Sequence, residues 1–358
     1  MGPNNSATQT IRPYPRKAEE SLMGRIKELT LTSGPYSPSC EVHHNAPALV
    51  FSAGGYTGNF FHDFNDGFIP LFITVNSLFR DQNIILVITN CKSWWSRKYA
   101  ELLTRFSRHP IIDMDKETAS HCFPSAIVGL ISHGPMTVDP TLLPHPKTIL
   151  DFHNFLESAY SQGNVTLSDK PFETLSHKPR ARPQLVLVNR RGNVGRVILN
   201  QEELKQAAED AGFDVTVFEP THKTRLVDSF RLIHASHAIL GVHGAALTHS
   251  LFLRPGSVLV QVVPIGTEWL CDTYFAKPAK KLGLKYMEYK IRAEESSLVE
   301  KYGKDDIVLK DPKAFVKGNW SNMHTYLKAQ DVKLDIHSFQ RYLRKAYKQA
   351  KRFMNKES

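Results

Sequence analysis

The sequence predicts an α/β chain built as two domains, and three observations carry that reading. From Ala48 onward, short apolar runs of strand length alternate with stretches of helical periodicity, the pattern that parallel sheets with right-handed crossovers leave in a sequence. The chain has 358 residues, against roughly 150 for an ordinary single domain. Between the two halves, the stretch 162–183 holds Gly163, Ser168, Asp169, Lys170, Pro171, Ser176, Pro179 and Pro183 with no periodicity. It reads as a linker, placed at 166–183. Hydrophobic residues at 41% and charged residues at 22% exclude a mainly disordered or low-complexity chain.

Residues 1–45 are proline-rich and polar and are expected to wrap the surface. The first domain, 46–165, has strand-like runs at 48–51, 84–88 and 126–128, with helical stretches near 60–79, 95–107 and 148–160. The second, 184–330, has runs at 185–188, 215–218, 238–240 and 258–263, with helices near 200–211, 224–235 and 271–282. The final stretch, 331–358, spaces Ile336, Phe339, Leu343, Tyr347, Ala350 and Met354 at helical intervals, with Arg341, Arg344, Lys345, Lys348, Lys351 and Arg352 around the rest. This predicts a basic amphipathic helix that packs its apolar stripe on the core.

The formal charge of +10 fits an anionic partner, whether nucleic acid, membrane surface or phosphorylated small molecule. Cys40, Cys91, Cys122 and Cys271 lie far apart with no CxxC, which argues against a structural metal and allows two disulfides in any of three pairings. The pattern N-X-S/T at Asn4, Asn164 and Asn319 leans toward a secreted or luminal protein. No run of about 18 apolar residues is present.

Three constellations carry possible chemistry. Gly241-Val242-His243-Gly244-Ala245-Ala246-Leu247-Thr248 follows a strand-like run, so its small residues would let backbone N–H groups approach a diphosphate. The alternative is a tight turn that simply needs small residues, with His243 either an anion donor or a buried, satisfied imidazole. Arg190, Arg191 and Arg196 cluster after the run 185–188, at the sheet edge where open α/β folds place ligands; a solvated basic loop is the alternative. In Gly54-Gly55-Tyr56-Thr57-Gly58-Asn59-Phe60-Phe61-His62-Asp63-Phe64-Asn65-Asp66, the residues Asn59, His62, Asp63 and Asp66 share one helical face. They would take the proton of an acceptor hydroxyl, or merely complement a helix terminus. Asp113-Met114-Asp115 has the form of a metal-holding DxD, but the arginines offer metal-free neutralisation of a diphosphate.

The segments 51–59, 61–64, 69–72, 242–248, 261–264 (Gln261-Val262-Val263-Pro264) and 294–298 (Glu294-Glu295-Ser296-Ser297-Leu298) resemble plant glycosyltransferase family 61, co-linearly from about Ile11 to Pro312. Where the family often has Gly-Ala-Gly-Leu-Thr-Asn, this chain has Gly244-Ala245-Ala246-Leu247-Thr248-His249. The resemblance implies GT-B architecture, two Rossmann-like domains facing a cleft, with the acceptor on the first and a UDP-sugar on the second. It also implies an inverting mechanism and a type II Golgi membrane protein facing the lumen, whose anchor is not in this sequence. The opening Ile11-Arg12-Pro13-Tyr14-Pro15-Arg16-Lys17 resembles the xylan-modifying branch. The expected reaction is therefore transfer of arabinofuranose or xylose from a UDP-pentose to xylan. The alternative is a glycoprotein acceptor, as in N-glycan β-1,2-xylosyltransferases or O-linked N-acetylglucosamine transferases.

On that reading His62 or Asp66, supported by Asp63, is the base, and Asn59 contacts the acceptor. Arg190, Arg191, Arg196, His243, Gly244, Ala245, Ala246 and Thr248 hold the donor, and Glu294 or Glu295 meets the ribose. No metal or other cofactor and no nucleic acid is expected, while other Golgi glycosyltransferases are possible partners. Other classes compete: a nicotinamide oxidoreductase, which wants a GxGxxG that is missing here, a basic nucleic-acid or membrane module, and a non-catalytic anion- or carbohydrate-binding module.

Overall fold

The computed structural model describes residues 7–34, 38–79, 83–161, 181–192 and 194–357. The chain divides into two compact units, Met1–Tyr160 and Ser161–Ser358. The expected linker lies outside the described residues over 166–180.

The first unit opens with an antiparallel hairpin of β1 (Ala7–Ile11) and β2 (Leu29–Ser33), followed by β3 (Val42–His43). Its main sheet contains β4 (Ala48–Ser52), β5 (Ile85–Thr89) and β6 (Ile112–Asp113); β7 (His121–Cys122) pairs with β3, and β8 (Ala126–Val128) completes the main sheet. The order is β6-β5-β4-β8, and every pair is parallel. Every residue of β5 is buried, which is why its sequence is a continuous apolar run rather than an alternation. Cys40 is bridged to Cys122, with Cα atoms 5.8 Å apart. Cys91 and Cys271 are buried free thiols, so one bridge forms rather than two.

Within 1–45, part of the segment is also buried. Tyr14, Leu22 and Ile26 are buried together as a small apolar cluster of their own, because Tyr14 reaches a buried carboxylate described below.

The second unit holds β9 (Gln184–Val188), β10 (Asp214–Phe218), β11 (Ala238–Val242), β12 (Val258–Val263) and β13 (Lys285–Lys290) in the order β10-β9-β11-β12-β13, all parallel. The strand β13 escapes the sequence reading because Lys-Tyr-Met-Glu-Tyr-Lys is no apolar run; it buries only Met287 and Tyr289. The helix Ile336–Glu357 packs on β12, β13 and the helix Gln201–Asp210, burying Phe339, Leu343, Ala346, Ala350 and Met354. It belongs to the core of this unit, with its basic face in solvent.

Both sheets reverse direction once. In the first, the chain runs from β4 to β5 and β6 on one side and returns to β8 on the other; in the second, β10 and β11 flank β9. Connections leaving opposite ways at such a switch point open a crevice at the carboxyl ends of the strands. The loops after β4, β9 and β11 end there.

Candidate active site

In the first unit, β4 runs into a glycine turn and then the helix Phe60–His62, which widens into a π-helical segment Asp63–Phe68 before the α-helix Ile69–Leu78. Gly55 has φ +76°, and a Cβ there would lie 3.0 Å from the Tyr14 hydroxyl and from Leu22. The π turn changes which residues share a face. His62 and Asp66 stay together, Nδ1 to Oδ2 at 2.7 Å, whereas Asp63 turns away.

Asp66 is 1% exposed. It also accepts from the Tyr14 hydroxyl at 2.9 Å and from Asn65 Nδ2 at 2.5 Å, with the Arg16 guanidinium 3.5 Å away. Burial pushes this carboxyl up, but the hydrogen bond and charge of His62, with Arg16 and Asn65, outweigh it and leave it below the ordinary range. As the acceptor from Tyr14, Asn65 and His62, an ionised Asp66 is placed to orient the imidazole. It holds the Nδ1 proton of His62 and leaves Nε2 as the basic nitrogen, the usual orientation of an imidazole by a carboxylate. Tyr56 packs on the ring at 4.4 Å between centroids, and the pocket beside it is lined by Tyr14, Tyr56, Thr57, His62, Asp63 and Trp95.

Asp63 and Asn59 both make structural contacts in this loop. Asp63 accepts from Tyr99 Oη at 2.8 Å, Trp95 Nε1 at 3.1 Å and the Gly58 amide at 3.3 Å. It pins the turn to the neighbouring helix and does not support His62. Asn59 is exposed and caps its own helix by accepting from the Phe61 amide at 3.1 Å, as an N-cap asparagine does. Asp113 pairs with Lys116 and Asp115 with Lys27, at 2.5 and 2.6 Å, so the DxD carboxylates are already neutralised.

In the second unit, the loop after β9 brings Arg190 and Arg196 to the turn after β11. Gly195 has φ +70°, and a Cβ there would meet the Lys328 carbonyl oxygen, so both backbone conformation and space call for glycine. Arg196 itself has φ +60°, an unfavourable conformation for a side-chain-bearing residue. Its amide donates to the Gln330 carbonyl, and Nη1 donates to the His243 carbonyl at 3.0 Å. Gly244 has φ +155°, and a Cβ there would fall 2.0 Å from Arg190 Nη2, so the glycine is what lets the guanidinium lie against the turn.

Arg196 is 8% exposed, and its Nε has no hydrogen-bond partner. Burial, then Arg190, pulls its guanidinium down to about 9, and burial lowers Arg190 as well. Among the described residues no carboxylate forms an ion pair with either. Thr248 is fully buried with an unpartnered Oγ1, one residue after Ala245, Ala246 and Leu247 in the 3₁₀ segment Ala245–Phe252. His249, in place of the family's asparagine, is buried with Nδ1 2.7 Å from the Ala246 carbonyl.

His243 is buried, and a relay behind it fixes its tautomer. The Tyr286 hydroxyl donates to Gln261 Oε1 at 2.8 Å, so the Gln261 amide nitrogen faces His243 Nδ1 at 3.1 Å and donates to it. The proton of the ring is then on Nε2. Burial, then Arg196 and Arg190, holds the imidazole well below its ordinary pKa, hence neutral.

Arg191, Glu295 and Glu294 are three further residues expected at the donor. Arg191 points to solvent and pairs with Glu219 at its 84% exposed side chain, because successive residues leaving a strand face opposite ways. Glu295 is buried as the acceptor of a capping box, taking the Arg292 and Asp335 amides at 2.9 and 2.8 Å and the Tyr289 hydroxyl at 2.7 Å. Glu294 is exposed and makes none of these contacts. Sequence reasoning gave no site role to Tyr14, Arg16, Gln330 or Tyr286, which distant chain segments supply. It quoted Gln261 only as part of a motif, although a glutamine inside an otherwise apolar strand is itself a signal for a buried partner.

The family model described as Glycosyltransferase 61 matches residues 58–260, which include His62, Asp66, both arginines and the turn after β11. The chain is 42% identical over 352 residues to the xylan glycosyltransferase MUCI21 of Arabidopsis thaliana, covering 95% of this chain and 70% of that protein. It is 36% identical to two proteins of Oryza sativa subsp. japonica. These are the alpha-1,3-arabinosyltransferase XAT3, with 94% of this chain and 57% of that protein covered, and the beta-1,2-xylosyltransferase XAX1, with 96% and 60% covered. The chain thus spans less than two thirds of the two rice relatives. With a family model across more than half of it and relatives aligned along nearly its whole length, the chain belongs to the glycosyltransferase 61 family.

Proposed function

We propose that this chain is an inverting glycosyltransferase that moves a pentose, arabinofuranose or xylose, from a UDP-sugar to a hydroxyl of xylan. The observation that carries the donor half is the Arg190–Arg196 pair. Two guanidinium groups packed at a switch point without a carboxylate partner fit a bound dianion, and Arg matches phosphate oxygens bidentately. The names of the relatives, one for xylan and two for arabinosyl and xylosyl transfer, support the pentose and the acceptor.

On this reading His62 Nε2 takes the proton of the acceptor hydroxyl as its oxygen bonds to the anomeric carbon, and Asp66 stabilises the imidazolium. The bond to the diphosphate breaks on the opposite face, and UDP leaves with the electron pair. Arg190, Arg196 and the neutral Nε2–H of His243 stabilise that charge as it develops. The GT-B arrangement belongs to the same proposal, with the His62 unit on the acceptor side and the arginine unit on the donor side. So does a location in the Golgi lumen, which the Cys40–Cys122 bridge supports. Metal is not needed, since fixed cations neutralise the diphosphate and each DxD carboxylate already holds a lysine.

The test is UDP release and product mass with xylohexaose, offering UDP-arabinofuranose, UDP-xylose and UDP-N-acetylglucosamine separately, with and without EDTA. One pentose added per UDP released, insensitive to EDTA, is the expected result. Transfer of N-acetylglucosamine alone, or complete loss in EDTA, overturns it.

A further inference from the structure

Trp269 and Trp320 stand in solvent, 47% and 61% exposed. Scattered surface apolar residues need no explanation, but a contiguous aromatic patch does. These two rings are adjacent, with centroids 5.9 Å apart and planes at 66°, and Tyr274 continues the patch 6.4 Å from Trp269.

The elements that carry the patch reach the donor turn at two places. Trp269 lies on the short helix Glu268–Cys271 that follows β12, at the carboxyl edge of the sheet. Phe275, the residue after Tyr274, packs edge-on against His243 at 5.2 Å. Trp320 precedes the six-residue helix Met323–Lys328, about 9 Å long at 1.5 Å per residue. The end of that helix closes on Gly195, and Gln330 just beyond holds the Arg196 amide.

The geometry points to a saccharide-stacking platform on the second unit, in which Trp269 and Trp320 hold a pyranose ring of a xylan chain. The inference rests on the donor reading above. One face of a pyranose is a sheet of C–H groups and its rim is hydroxyls. An indole offers an apolar area of similar size with a negative π face for those C–H groups. Two rings set at 66° form an angled trough that grips one face and one edge of a sugar. A protein partner fits less well. With Trp269 and Trp320 only 47% and 61% exposed, the two indoles offer about 270 Å² at up to about 250 Å² each, short of the roughly 600 Å² that each partner of a stable interface buries.

Calorimetric titration with xylohexaose tests this without any turnover, with UDP titrated in parallel on the same protein. Trp269→Ala and Trp320→Ala should each weaken xylohexaose binding about tenfold. Both should leave UDP affinity and melting temperature unchanged, and Trp269→Phe and Trp320→Phe should restore most of the loss. Because Asn319-Trp320-Ser321 is an N-glycosylation pattern, the titration is repeated with Ser321→Ala, where no glycan of the protein's own can cover the ring. Xylohexaose affinity that survives both alanine substitutions overturns the platform, as does binding seen only in Ser321→Ala. A wild-type dimer in sedimentation equilibrium that Trp320→Ala converts to monomer assigns the patch to a second copy and overturns it too. Failure of the wild type to bind UDP would instead sink the donor reading, while leaving the xylohexaose result to stand or fall by itself.

Discussion

Arg196 Nη1 donates to the backbone carbonyl of His243 at 3.0 Å, so the cation that faces the donor turn is also the clamp that shapes it. Arg190 makes no such bond to the turn; it lies against Gly244 for want of a side chain there. The two arginines therefore separate in their expected behaviour.

Arg190→Met should abolish the rise in melting temperature that UDP produces, yet stabilise the unliganded protein. Removing one of two adjacent like charges that have no carboxylate partner relieves their mutual repulsion and the desolvation of Arg190. Thermal melts with and without UDP read both effects. Arg191→Ala should change neither by more than about 0.5 kcal/mol, since its side chain is solvated on Glu219.

Gly244→Ala places a methyl group 2.0 Å from Arg190 Nη2 and should cost at least about tenfold in UDP affinity, on the scale of one displaced charge-assisted hydrogen bond. In the double variant with Arg190→Met the extra cost should vanish, because residues in contact are not additive. Full additivity in calorimetry would mean that the glycine serves something other than the arginine.

His62→Ala and Asp66→Asn should each lower kcat by about 10²–10⁴, the usual contribution of a general base, with UDP affinity unchanged. Tyr14→Phe should lower it less, since the His62 contact to Asp66 survives. Wild-type turnover in both His62→Ala and Asp66→Asn would place the base elsewhere.

Asp63 carries a pH signature instead. Burial holds its carboxyl above the ordinary value even against the bonds from Tyr99, Gly58 and Trp95. The folded state therefore keeps a proton that the unfolded state has lost. Its contribution to stability is complete below about pH 4 and fades as pH rises through the raised folded value. Asp63→Asn should flatten the profile of melting temperature against pH over that window while leaving kcat within a few-fold.

The tautomer of His243 is open to long-range proton–nitrogen NMR. Between pH 5 and 8 the ring should stay neutral with Nε2 protonated and Nδ1 bare. Gln261→Glu, which can only accept, should move the proton to Nδ1 and weaken UDP binding by adding a negative charge. A wild-type imidazole that titrates near its ordinary value would remove the relay from the account.

Much of this was legible in the sequence where local chemistry dominates. The apolar runs became the expected strands because buried parallel strands admit few other residues, and the glycine turns sit where sheet topology reverses. What the sequence could not convey is which neighbours a residue meets. The helical face predicted to hold Asn59, His62, Asp63 and Asp66 assumed a regular α-helix; the π turn at Asp63–Phe68 sends Asp63 to Trp95 and Tyr99 instead. Arg190 and Arg191 look alike as letters, and only the direction each leaves the strand separates them. Tyr14 is 52 residues from Asp66, a pairing that no window of local periodicity contains.

That last contact has a practical meaning for anyone cutting the gene. The family match ends at 58 and 260, but the polypeptide that completes the two sites does not. Tyr14 and Arg16 close the wall around His62 from upstream, and Gln330 and β13 finish the arginine side from downstream. A recombinant fragment trimmed to the boundaries of recognisable similarity would keep the signature residues while leaving Asp66 and Arg196 without their far supports. Its inactivity would say nothing about the chemistry of the signature.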